Sequence, residues 1–174
     1  MAVAKQAIPP APLVPAVCPT VVAMTTRTRD SRTQLAMHGS IVLLIGLLAG
    51  IGYSYAATTA SVDSDLYRNW RFAHVEGLFN GVMVLAIAGA WPSIDRRGTM
   101  LIVAKWLLVL GAYANAIGPW ISALFIGHRV IQPHAPLENV VVYGFYIPGV
   151  VPLFAVAIFA WSAFRNRRTA PAGP

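Results

Sequence analysis

The stretch from Trp70 to Trp91 constrains the fold more than any other part of the chain. It is one apolar run of helical length, closed at both ends by tryptophan. A helix needs roughly 20 predominantly apolar residues to cross a bilayer, and tryptophan is favoured at the two membrane–water interfaces. Three further segments have the same character, at about 34–57, 99–126 and 140–164. The composition agrees: 57% of the 174 residues are hydrophobic and 11% are charged, with a mean hydropathy of +0.63. A soluble domain is typically ~25% charged. The expected fold is therefore all-α, a four-helix transmembrane bundle.

Residues 1–33 read as a disordered tail. Pro9, Pro10, Pro12, Pro15 and Pro19 break its apolar runs, which are too short to span or to form the uninterrupted core of a signal peptide. Met24 is a candidate start, and Cys18, the single cysteine, excludes a disulfide framework or a cysteine metal cluster. Helix 1, 34–57, carries Gly46 and Gly50, a spacing that lets another backbone approach, and His38 near one boundary. Pro92 is expected to end helix 2. Helix 3 carries Lys105, whose long stem is expected to snorkel to the interface, and Pro119, which should kink or unwind it. A polar loop holding His128 and His134 leads to helix 4, and residues 166–174 form a basic tail.

Arginine and lysine set the orientation. Lys5, Arg27, Arg29, Arg32, Arg96, Arg97, Arg165, Arg167 and Arg168 fall on one side, and Arg68, Arg71 and Arg129 on the other. Positive residues stay inside, so both termini are expected in the cytoplasm of a bacterial-type inner membrane, with up-down topology. The net charge of +7 then belongs to contacts with anionic membrane lipid. No basic domain exists to carry nucleic-acid contacts.

Helix 2 is not uniformly apolar. Its first half carries His74, Glu76 and Asn80, and ionisable groups inside a span point to function. Glu76 lies about 9 Å and Asn80 about 15 Å below the start of helix 2; Asn115 lies about 16 Å and Tyr113 about 20 Å below the end of helix 3. Glu76 and Asn80, four apart, share a face. A pocket between helices 2 and 3 would satisfy these groups, with Glu76 as acid, base or binding group. His74 shares a different face with Gly77 and Gly81. That glycine pair serves either helix packing or a flat wall for a planar macrocycle, in which case His74 is an axial ligand for haem iron. Zinc lacks a second histidine or cysteine at ligand spacing.

The segment Ala73-His74-Val75-Glu76-Gly77-Leu78-Phe79-Asn80-Gly81, its apolar continuation into Trp91-Pro92, and the later Gly111-Ala112-Tyr113-Ala114-Asn115 resemble the small membrane isomerases related to styrene oxide isomerase and hydroxylaminobenzene mutase. The similarity covers about residues 34–165. It implies a homo-oligomer, a trimer in the epoxide branch, with haem b between subunits. There the histidine matching His74 ligates ferric iron, a Lewis acid towards the substrate oxygen, and the asparagine matching Asn80 lines the pocket. Two departures stand out. The epoxide branch has a catalytic tyrosine four residues beyond the position of Asn115, where this chain has Pro119; Tyr113 is the nearest candidate. Glu76 matches an acid of the mutase branch, which converts an N-aryl hydroxylamine to an aminophenol.

The expected function is thus haem-dependent rearrangement of a small apolar aromatic substrate, leaning to the hydroxylamine reaction, with epoxide-to-aldehyde isomerisation as the alternative. Two readings from other classes compete: a small transporter subunit using Glu76 as its coupling group, and a haem electron carrier.

Overall fold

The structure, a computed structural model, describes residues 19–94, 98–128, 130 and 132–168. Helix α1 spans Pro19–Thr59 and α2 Asp65–Ile94. Helix α3 spans Thr99–Ile121 and widens into a π-helical turn, Ser122–Ile126. The last part comprises α4, Pro136–Val141, a π-helical turn Val142–Tyr146, a 3-10 turn Pro148–Val150, and α5, Pro152–Arg168. No strand occurs among the described residues. Among the described residues four segments are long and apolar enough to cross a membrane: Asp30–Thr59, Asp65–Ile94, Thr99–Ile126 and Pro136–Arg165. The chain is an integral membrane protein.

Helix α1 starts at Pro19, inside the segment expected to be a tail. Proline suits a first helical turn, where its missing N–H has no partner to lose, and neither proline nor glycine follows until Gly39. The expectations for residues 1–18, Cys18 among them, lie outside the described residues. Helix α2 starts at Asp65 rather than Trp70. The Ser64 hydroxyl accepts from Tyr67 N at 3.3 Å, an N-cap, and Asp65 sits favourably at the positive end of the helix. Pro92 does not end α2, which runs on to Ile94. So near the terminus it removes only the bond to the Ala88 carbonyl.

Small residues bring α1 onto α2. A Cβ on Gly77 would land on the Gly46 backbone, and one on Gly81 would meet Leu43 Cα at 2.6 Å. Further along, Gly39 faces Leu85 and Gly50 faces His74, so these two helices run in opposite senses. Gly111 of α3 packs on Pro152, and Gly118 on Phe145. Leu35, Val42, Val84, Trp91, Leu108 and Phe159 form the apolar core. Trp120 Nε1 donates to the Ile45 carbonyl at 3.2 Å and ties α3 to α1.

Lys105 does not snorkel to an interface. It is 5% exposed, donates to Gln34 Oε1 at 2.7 Å, and its Nζ lies 4.7 Å from the Trp106 ring centroid. A buried ammonium needs such partners.

The fourth span begins at Pro136, earlier than expected, and is broken in its middle. Pro148 has no N–H for the Gly144 carbonyl, and Pro152 none for that of Pro148. The chain compensates by changing its bonding pattern. Ile147 N donates to Val142 O at 2.9 Å, while Val150 N and Val151 N donate to Ile147 O at 3.1 Å and Pro148 O at 3.0 Å. In α3 the α-helix runs on through Pro119 to Ile121, and the wider π-helical turn begins only at Ser122.

The loop before α4 is held by Glu138. Its Oε2 accepts from His134 N at 2.6 Å and Ala135 N at 3.2 Å, and its Oε1 lies 3.1 Å from His128 Nε2. His128 and the His134 backbone thus hold the start of the fourth span.

Candidate functional site

Three of the four residues assigned to a pocket between the second and third spans meet. Asn80, 6% exposed, donates through Nδ2 to the Glu76 carbonyl at 2.9 Å and to Glu76 Oε2 at 3.1 Å. The four-residue spacing puts both on one face of α2. Asn80 Oδ1 accepts from Asn115 Nδ2 at 3.2 Å, and the same Nδ2 donates to the Gly149 carbonyl at 3.0 Å. A chain of hydrogen bonds therefore runs from a half-buried carboxyl on α2, through two amides, to the broken part of the fourth span. Gly149 O was not foreseen as a member. Its signal is the pair of prolines, Pro148 and Pro152, that opens the helix there.

Tyr113 is not part of that chain. Its hydroxyl lies 3.2 Å from His38 Nδ1, and its ring meets that of His38 edge-on at 5.8 Å. Tyr113 also lines an apolar groove of about 500 Å³ along α3, with Trp106 and Leu110. Tyr113 and Asn115 are two positions apart, and at 100° per residue they point to different neighbours. His38, placed near one boundary by the sequence, is paired inside the protein.

His74 turns away from Glu76 and Asn80 and faces α1. Its Nδ1 is 2.8 Å from the Gly46 carbonyl. A carbonyl only accepts, so Nδ1 carries a proton, and in the neutral imidazole Nε2 is then the nitrogen with the lone pair. The ring stacks on Tyr53, with centroids 5.8 Å apart and planes 18° from parallel. The Tyr53 hydroxyl meets that of Tyr67 at 2.9 Å. Gly46, Gly50 and Tyr53 are four and three apart, hence on one face of α1. That spacing was available as a signal for Tyr53, which had not been singled out.

Gly77 and Gly81 correct an expectation. They are buried against the backbone of α1 at Gly46 and Leu43, so no flat wall is left open there for a macrocycle. The pair serves helix packing.

With this geometry in view, the chain belongs to the styrene oxide isomerase family, whose model matches residues 31–164. It is also similar to hydroxylaminobenzene mutase HabA of Ectopseudomonas oleovorans, with 25% identity over 108 residues, 62% of this chain and 74% of the mutase. Fold and family together define a membrane isomerase or mutase.

Replacing Asn115 with leucine removes the donor shared by Asn80 and Gly149. The expected cost is about 1–3 kcal/mol for the acceptors left unpaired, Asn80 being buried and Gly149 partly so, read as a lower midpoint in detergent unfolding, together with slower turnover.

Proposed function

We propose that this protein rearranges a small apolar aromatic substrate within a bacterial-type inner membrane, converting an N-aryl hydroxylamine to an aminophenol. Both termini lie in the cytoplasm, with the spans running up and down. The observation that carries the reading is Glu76, a carboxyl held on Asn80 inside a span. The reaction breaks an N–O bond, forms a C–O bond, and moves one proton from a ring carbon to nitrogen. A carboxyl group that takes and returns a proton serves that transfer. Asn80 and Asn115, linked to each other and to Gly149 O, orient the carboxyl and the polar end of the substrate.

Of the residues expected to hold haem b, His74 suits that role. His74 has its Nδ1–H engaged by a backbone carbonyl, which orients the ring and leaves Nε2 as the ligand atom. When bound, ferric haem supplies Lewis acidity towards the substrate oxygen. Gly77 and Gly81 take no part in holding it. A homo-oligomer, trimeric as in the branch this chain resembles, is the assembly we favour, because His74 faces α1 while Glu76 and Asn80 face away from it. An electron carrier with two histidine ligands is less well supported, since His38 is engaged by Tyr113.

The test is turnover by purified protein in lipid vesicles, with N-phenylhydroxylamine and styrene oxide offered separately. Wild type is expected to form an aminophenol, and Glu76→Gln to lower kcat by about a hundredfold or more, as for loss of an acid–base group. Aldehyde formation from styrene oxide alone moves the protein to the epoxide branch. Full activity in Glu76→Gln removes the carboxyl from the mechanism. Substrate uptake without turnover, lost in that variant, makes it a transporter.

A further inference from the structure

The contacts around His74 assign a role to residues outside the reacting centre. Three features of α1 converge on the imidazole. The Gly46 carbonyl takes the Nδ1 proton at 2.8 Å. Gly50 leaves the space against the ring edge, where an added Cβ would stand 3.0 Å from both Nδ1 and Cε1. Tyr53 covers a ring face at 5.8 Å and 18°, and its hydroxyl is held in turn by Tyr67 at 2.9 Å. The hydrogen bond sets which nitrogen carries the proton, the absent side chain sets how closely the ring approaches α1, and the stack sets its plane. An imidazole with one hydrogen bond alone keeps its rotation about that bond.

We infer that Tyr53 is a positioning residue, which with Gly46 and Gly50 forms a cradle on α1 that holds His74 in one tautomer and one plane with Nε2 presented as a ligand. Tyr67 braces Tyr53 through its hydroxyl. The chemistry presented is that of a neutral imidazole to an iron macrocycle. That ligand identity rests on the function proposed above, whereas the tautomer and the ring plane do not. Stacking is a property of the ring and not of its hydroxyl, so phenylalanine at position 53 retains most of the effect and leucine loses it.

The experiment uses the full chain in detergent, stripped of any haem, labelled with ¹⁵N-histidine and studied by NMR at a pH where imidazole is neutral. The His74 signals are assigned by their loss in His74→Gln. Wild type and Tyr53→Phe are expected to show one tautomer, protonated at Nδ1, and Tyr53→Leu a mixture. A haem titration of the same three samples is expected to show about tenfold weaker binding for Tyr53→Leu, the loss usual for a group that orients a metal ligand. Unchanged tautomer and unchanged affinity in Tyr53→Leu overturn the inference. If wild type takes up no haem, the haem reading falls, and the tautomer ratio alone decides the role of Tyr53. If Tyr53→Leu does not fold, Gly50→Ala, which presses on the ring from α1, must shift the tautomer ratio. Its failure to do so also overturns the cradle.

Discussion

On the haem reading proposed above, replacing His74 with alanine is expected to remove the Soret band of the purified protein and to lower turnover by more than about a hundredfold. A residue that merely orients a metal ligand is worth 10–100-fold in affinity, and loss of the ligand itself exceeds that. The fold survives the change. His74 gives α1 one hydrogen bond and one ring stack, while the interface of α1 with α2 also rests on Gly46, Gly77 and Gly81. The check is an absorption spectrum of variant beside wild type, with far-ultraviolet circular dichroism to establish equal helix content. Full haem and full turnover in His74→Ala would falsify the assignment of this residue as the ligand.

Gly77→Ala has the opposite signature. The new methyl group lands on the backbone of Gly46, and backbone yields less readily than the end of a flexible side chain. Overpacking of this kind costs about 1–3 kcal/mol and occasionally more. Here it pushes apart a whole helix pair. The expected result is a clear drop in the unfolding midpoint in detergent, with the proposed haem binding and activity lost only in proportion to folded protein. Had Gly77 lined a macrocycle, the same variant would weaken haem binding and leave the midpoint alone. Measuring both quantities on one preparation separates the two roles.

The four spans were legible because bilayer thickness leaves few ways to place long apolar runs. Their ends were not, since they depend on local bonding that hydropathy does not report. Ser64 capping α2 at Asp65, and the continuation of that helix through Pro92, are instances. The joining of Glu76, Asn80 and Asn115 followed from helix rise and from the four-residue spacing. Tyr113 failed under the same depth argument, because depth says nothing about azimuth, and two residues along a helix is more than half a turn. Lys105 was misread for a different reason: its partner Gln34 lies on another span, 71 residues away. The glycines of α2 admitted two readings from spacing. Only the position of Gly46 and Leu43 decides between them.

The break in the last span has a consequence for how the protein is made. Gly149 lies near the middle of the segment Pro136–Arg165, where lipid offers a backbone carbonyl no partner. Its partner here is Asn115, on the preceding span. Ribosomal synthesis delivers the third span first, so the amide is in place before the broken segment leaves the translocon. Produced by itself, the fourth span would carry that carbonyl into hydrocarbon unmet and insert poorly. Supplied in trans to a fragment ending in the polar loop, it would find the amide waiting. An insertion assay with and without the third span is expected to show the final segment closing on a dock that the earlier ones carry.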